Sequence, residues 1–281
     1  MSNQQVVQRD IKRVWHPEPH QNSPIHTAAM VLEPGRTAEY DPFLLMAEDW
    51  FQQGTFDVHP HRGIETVTYV IEGKLQHYDN QAGNGELLPG DVQWMTAGRG
   101  VIHKEDPAPG ECVHSLQLWV NLPREHKMTA PRYQNLRSQD MPVRREAGAV
   151  IRVFSGASAG IQADTKNHVP VTMVEITLEA GATVSQDLPG SYNGFLYVLQ
   201  GRGVFGTQQV AAEQGQALQL AEADENADSE ITISAIEPTR VLLYAGEPVR
   251  EPVVAYGPFV MNTKAEIAQA IEDYQSGKFA Q

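Results

Sequence analysis

Two short stretches in opposite halves of the chain share one build. Thr68-Tyr-Val-Ile-Glu-Gly73 lines up with Leu196-Tyr-Val-Leu-Gln-Gly201, and further on Gly85-Glu-Leu-Leu-Pro-Gly90 lines up with Val210-Ala-Ala-Glu-Gln-Gly215. In each copy a β-branched and aromatic run is stopped by a glycine turn. Such a repeat restricts the chain to two copies of one strand-and-turn architecture. The length of 281 residues agrees, since domains of ~150 residues predict about two. An all-β chain of two β-barrel domains is expected.

The rest of the text fits that reading. With 23 Gly and 18 Pro spread throughout, no long helical stretch survives. From Met30 to Val120 the runs Thr66–Ile71, Val92–Met95 and Ser115–Val120 read as strands, with turns at Asn80–Gly85 and Glu86–Asp91. Residues 1–30 read as polar and irregular, anchored only by Val14 and Trp15. Residues 124–148, with Pro131, Pro142 and many charges, read as a linker. Strands resume at Val150–Phe154, Val171–Leu178, Phe195–Leu199 and Val241–Tyr244. The expected domains are therefore 1–135 and 136–281. One helix is expected, near the end. Thr263-Lys-Ala-Glu266 is a capping box in which each side chain satisfies the other's backbone amide. Ile267, Ala270, Ile271 and Tyr274 then share a face, and Gly277 stops the helix.

Composition narrows the function. The formal charge is −14, spread over both halves, so phosphate backbones repel the chain and direct nucleic-acid binding is not expected. Cys112 is the single cysteine, which rules out an intramolecular disulfide and thiolate zinc sites. Met1–Arg9 has no apolar run of the secretory type, and no segment approaches the ~20 apolar residues that span a bilayer. The expectation is a soluble, cytoplasmic monomer with no membrane partner.

The histidines carry the chemical signal. Of 10, all but His168 lie between His16 and His126. In His59-Pro-His61 both imidazoles share a strand face, because alternate residues of a strand point the same way. His103-Lys-Glu105 repeats the spacing with one carboxylate, and Lys104 points outward by alternation. Two such strands side by side supply three nitrogens and one oxygen. That set leaves a six-coordinate ion with two open positions, unlike a closed structural zinc site. An isolated His-x-His is often surface decoration; here the glycines and Glu65 around the first pair, and Pro89-Gly-Asp91 before the second, favour a metal. Under the repeat, Asp187 and Pro189 replace the first pair and Asp228 and Glu230 the second, so the second half offers no histidine at these positions. Glu222–Glu230 reads as a solvated acidic loop. Gly98-Arg-Gly100 lacks the lysine and helix of a phosphate loop, and Ser155 and Ser191 lack a paired base. His114 and His126 read as packed or solvated. Gln117 and Trp119 share a face and either line a pocket or pack.

Gly54, His59, His61, Glu65 and Gly73 at their spacing resemble the first cupin motif, and Pro89-Gly-Asp91 through His103 resembles the second. More narrowly, the chain resembles the pirin family, in His59-Pro-His-Arg-Gly-Ile-Glu-Thr-Val-Thr-Tyr69, Gln93-Trp-Met-Thr-Ala-Gly-Arg-Gly100, Leu116-Gln-Leu-Trp-Val-Asn-Leu122, Ala245-Gly-Glu-Pro-Val-Arg-Glu-Pro252 and Gly257-Pro-Phe-Val-Met-Asn-Thr263. The resemblance implies a bicupin of two jelly-roll-like barrels, with a metal only in the first. It implies His59, His61, His103 and Glu105 as ligands, with Fe(II) as the ion and Mn, Co, Ni, Cu and Zn left open. Glu65 stands at the usual cupin carboxylate position but is left out of the set; a role orienting an imidazole is expected for it.

The activity implied is that of a quercetinase-type dioxygenase acting on a small aromatic substrate such as a flavonol, with Glu105 also serving as general base. The alternative is a regulatory protein whose iron redox state controls binding to a protein partner. Because imidazoles are plentiful only in the first half, purified protein is expected to hold one metal per chain. Two equivalents, with the second lost on substitution beyond residue 150, would contradict that.

Overall fold

The computed structural model describes residues 6–80 and 84–280. Residues 1–5, part of the stretch tested for a secretory signal, and Gln81–Gly83, the centre of the expected Asn80–Gly85 turn, lie outside them. The chain forms two compact units. One consists of the chain through Pro17 with Asp140–Pro248; the other consists of Glu18–Gln139 with the chain from Val249 onward. Both are built from strands. Among the described residues no helix is long and apolar enough to cross a membrane.

The unit containing His59, His61 and His103 has a seven-stranded sheet, ordered Arg132–Leu136, Val92–Thr96, Ile64–Glu72, Cys112–Asn121, Phe43–Gln52, His26–Leu32 and His20–Ser23. Its second sheet is ordered His59–His61, Val101–Pro107, Leu75–Asp79 and Asn84–Leu87. The other unit repeats the plan, with a seven-stranded sheet from Val143–Glu146 to Ile11–Trp15 and a five-stranded sheet around Asp228–Ala235. These are jelly-roll sheets, as expected, but neither unit closes into a barrel. Closure needs an unbroken ladder around the wall, and here the two sheets of each unit share no ladder.

The contiguous division into 1–135 and 136–281 is not what forms. Ile11–Trp15 pairs antiparallel with Ala217–Leu220, and Val7–Gln8 runs parallel to Ser229–Glu230. The N-terminal strands therefore complete the unit whose remaining strands come from the second half. The stretch read as irregular contains four strands, because backbone pairing needs little side-chain hydrophobicity at a sheet edge. The 124–148 linker is also structured: Arg132–Leu136 pairs with Val92–Thr96, and Val143–Glu146 with Ala149–Ser155.

The helix spans Lys264–Gln275. Thr263 Oγ1 accepts from the Glu266 amide at 3.2 Å, and Glu266 Oε2 accepts from the Asn262 amide at 3.1 Å. Ile267 and Ala270 are buried with Phe259, Met261 and Phe279, whereas Tyr274 stays at the exposed edge. The face also buries a charge that periodicity does not predict. Asp273 accepts from Arg62 Nη1 at 2.8 Å, from Lys278 Nζ at 2.7 Å and from Gln269 Nε2 at 2.9 Å. Lys278 and Arg62 hold its carboxyl well below the usual range. Arg62 also donates through Nε to the Arg99 carbonyl at 2.6 Å and lies 4.4 Å over the Phe279 ring.

This helix thus grips the residue immediately after His61. The next position admits only glycine: Gly63 has φ +81°, and a Cβ there would stand 1.9 Å from the Val260 carbonyl oxygen. Lys127, inside the supposed linker, is buried and donates to the carbonyls of Gly63 at 2.9 Å and Val260 at 3.0 Å and to Asn121 Oδ1 at 2.9 Å. Burial pulls its pKa down to about 8.

Removing one partner of a buried ion pair strands the other. Arg62→Ala is expected to destabilise the histidine-bearing unit by about 3 kcal/mol, the low end for such pairs because Lys278 remains beside Asp273. Urea unfolding measures it, and an unchanged midpoint would show that the helix anchor is dispensable.

Candidate metal centre

His59–His61 runs antiparallel to Val101–Pro107, with His59 opposite His103 and Val101 opposite His61. Pro60 is tolerated because this strand pairs on one side only. Alternation then turns His59, His61, His103 and Glu105 to one face. The imidazole centroids lie 4.4 Å apart for His59 and His103, 5.0 Å for His59 and His61, and 5.0 Å for His61 and His103. One nitrogen from each of the three falls within 4.8 Å of the other two. Lys104 points away and pairs with Asp106 at 2.5 Å.

Glu105 meets the histidines differently. Its carboxylate lies within 4.8 Å of His103 and of His77, which no sequence argument singled out. His77 is buried on Leu75–Asp79, directly opposite Glu105. The missed signal was the spacing itself, because His77-Tyr-Asp79 repeats the His-x-acid pattern of His103-Lys-Glu105. Asp79 Oδ2 lies 3.4 Å from His77 Nε2, and the Tyr133 ring packs on the imidazole with centroids 4.7 Å apart.

Hydrogen bonds fix the donors' orientation. His59 Nδ1 donates to the Asp57 carbonyl at 2.8 Å, which leaves Nε2 bare. Glu105 Oε2 accepts from Gln117 Nε2 at 2.8 Å and Oε1 accepts from the Thr68 hydroxyl at 3.3 Å. Trp119 Nε1 donates in turn to Gln117 Oε1 at 3.3 Å. Gln117 and Trp119 therefore line the site rather than merely pack.

The ring nitrogens of His61, His77 and His103 are buried and lack well-formed hydrogen bonds, with the Asp79 carboxylate 3.4 Å from His77 Nε2. Burial, reinforced by His59, lowers the His61 pKa to about 3. Burial and the neighbouring imidazoles push His103 well below its ordinary value, and burial lowers His77. Neutral, desolvated imidazoles beside a carboxylate are the donor set a divalent transition metal takes.

Glu65 is outside both clusters. It accepts from Trp94 Nε1 at 3.0 Å and from Thr96 Oγ1 at 2.6 Å. His114 stacks on Trp50 and meets Glu48 at 2.8 Å, and His126 lies at the surface beside Glu125. In the other unit, Thr183–Pro189 and Asp228–Ala235 pair as the two ligand strands do, with Asp187 opposite Glu230 and Pro189 opposite Asp228. The acidic stretch read as one loop therefore enters a strand at Asp228. Among the described residues, the only clusters fit for a metal are those around His103.

His59, His61 and Glu105 line one side of a cavity of about 330 Å³, near the lower end of small-molecule sites. Its other walls include Met30, Leu45, Ala47, Phe51, Phe56 and Leu75.

Comparison with known proteins places the chain. Residues 16–120 match the family model described as Pirin, and residues 173–280 match that of the Pirin C-terminal cupin domain. Pirin of Mus musculus is 42% identical over 244 residues, covering 85% of this chain and 82% of its own length. A crystal structure of GK1651 from Geobacillus kaustophilus shares 64% identity with a TM-score of 0.88, over 89% of this chain and 100% of that one. A crystal structure of quercetin 2,3-dioxygenase from Acinetobacter baumannii shares 32% identity with a TM-score of 0.86, over 97% of this chain and 99% of that one. Both halves of the chain thus match pirin models, and it belongs to the pirin family.

Proposed function

We propose that the protein is a metal-dependent dioxygenase of the quercetinase type, acting on a flavonol or a similar small aromatic with a hydroxyl beside a carbonyl. The observation that carries this reading is the meeting of the donor set with an apolar cavity: His59, His61 and Glu105 face the same space as Phe51, Phe56 and Leu75. A pure redox switch does not need such a chamber. The structural likeness to the Acinetobacter baumannii quercetin 2,3-dioxygenase supports it.

His59, His61, His103 and Glu105 are the proposed ligands, with Fe(II) as the proposed ion. When bound, a divalent transition metal supplies a Lewis acid and reactivity toward dioxygen. The chain's own residues do the rest. The apolar walls hold the flat rings and exclude water, which strengthens every charge interaction inside. Glu105 is placed to take the proton from the substrate hydroxyl. Gln117 and Thr68 hold both carboxylate oxygens toward the cavity, and Trp119 keeps the Gln117 amide in that orientation.

The direct test follows flavonol absorbance under air with Fe, Mn, Co, Ni and Cu supplied in turn. Turnover is expected with at least one metal. Glu105→Gln is expected to keep part of the metal and lose turnover by about 10²–10⁴-fold, the usual contribution of a positioned base. No turnover with any metal would leave the redox-dependent protein binder as the better reading.

A second expectation concerns pH. The folded-state pKa of His61, about 3, lies below the unfolded value of about 6.5. Between those values the unfolded chain binds a proton that the folded chain does not, so the metal-free protein loses stability as pH falls. The slope is about 1.4 kcal/mol per pH unit for each such histidine. Melting of the metal-free protein from pH 7 to 5 measures it; a flat profile, or one unchanged in His61→Gln, would contradict the account.

A further inference from the structure

The geometry points to His77 as a further metal-ligating residue of this centre: with His103 and Glu105 it forms a second three-donor set, so that one divalent cation has two coordination positions sharing His103. The inference rests on the metal reading above and extends it.

Four observations carry it. The ligand atoms of His77, His103 and Glu105 lie within 4.8 Å of one another, the same closeness as in the three-histidine set. All three residues are buried, whereas His59 in the other set is only partly so. The ladder forces the arrangement, since His77 stands directly opposite Glu105 in the pairing of Leu75–Asp79 with Val101–Pro107. Finally, His77 Nδ1 is buried without a hydrogen-bond partner and Nε2 meets only the Asp79 carboxylate, at 3.4 Å, and a buried polar atom left unpartnered is uncommon unless something else satisfies it.

The surroundings suit a ligand as well. Tyr133 packs against one side of the ring, and the Asp79 carboxylate lies 3.4 Å from Nε2. A carboxylate beside a coordinating imidazole is the usual means of fixing its orientation. The two positions also differ in composition. One set offers three nitrogens; the other offers two nitrogens and the carboxylate proposed as the base. With Glu105 protonated, His77 and His103 would still offer two nitrogen donors to a bound ion.

The test titrates the metal-free full chain with Co(II), reading the visible absorption of the bound ion, with far-ultraviolet circular dichroism as the check on folding. Wild type is expected to take up one equivalent. His77→Gln is expected to take up one equivalent with an altered spectrum and an affinity lowered by about 10–100-fold. The His59→Gln, His61→Gln double variant keeps the second set intact and is expected to bind one equivalent more weakly but saturably. Adding His77→Gln, or His77→Asn should the first variant misfold, is expected to abolish saturable binding. The inference is overturned if the double variant takes up no cobalt, or binds it equally well with and without His77. Wild type that binds while the double variant does not would remove His77 alone and leave the metal reading standing. Wild type that takes up no cobalt would remove both.

Discussion

His61, His77 and His103 are held in the interior of one unit with almost no hydrogen bonding to their ring nitrogens, the Asp79 carboxylate 3.4 Å from His77 Nε2 being the exception. Leaving a buried polar atom unpaired costs about 1–3 kcal/mol, and several such atoms form a debt that hydrophobic burial elsewhere must offset. The chain tolerates it because the imidazoles are neutral, kept so by the same burial that denies them partners. Desolvation thus does two things at once: it strains the metal-free fold and prepares bare lone pairs. A cation that accepts those lone pairs converts the strain into affinity.

The scaffold around the histidines resists the collapse that would otherwise relieve this strain. His61 is followed by Arg62, whose guanidinium is held by Asp273, the Arg99 carbonyl and the Phe279 ring. Gly63 then lets the Val260 carbonyl approach where any side chain would collide. The C-terminal helix is therefore part of the centre's support rather than an appendage. The other unit builds the same sheet plan with a filled interior. Its interior is filled by Ile151, Val174, Ile176, Leu196, Ile231 and Leu243, and at the ladder positions of the ligand strands it carries Asp187 and Glu230 on its partly open side.

Much of this was legible in the residues. The strand-and-turn repeat foretold two units of one plan. The two i, i+2 pairs foretold four side chains on one face, because strand alternation is a local rule that needs no tertiary information. The capping box foretold the helix start at Thr263. What was not legible depends on pairing between distant segments. Nothing local to Ile11–Trp15 says that it joins a strand near Leu220, and nothing local to Asp273 says that it meets Arg62. A polar stretch such as 124–148 looks like a linker until a ladder partner is known. His77 was overlooked for a different reason: its spacing to Asp79 was visible, but only the register against Glu105 gives that spacing a meaning.

The central claim, a proposal, is that a cation sits at the donor cluster around His103, which His59 and His61 flank on one side and Glu105 on the other. Anomalous diffraction from crystals of metal-loaded protein, collected at the absorption edge of the ion, tests it most directly. The account predicts a single strong peak per chain at coordination distance, about 2.0–2.2 Å, from nitrogens of this histidine cluster. A peak elsewhere in the chain, or none in protein shown to contain stoichiometric metal, would contradict it.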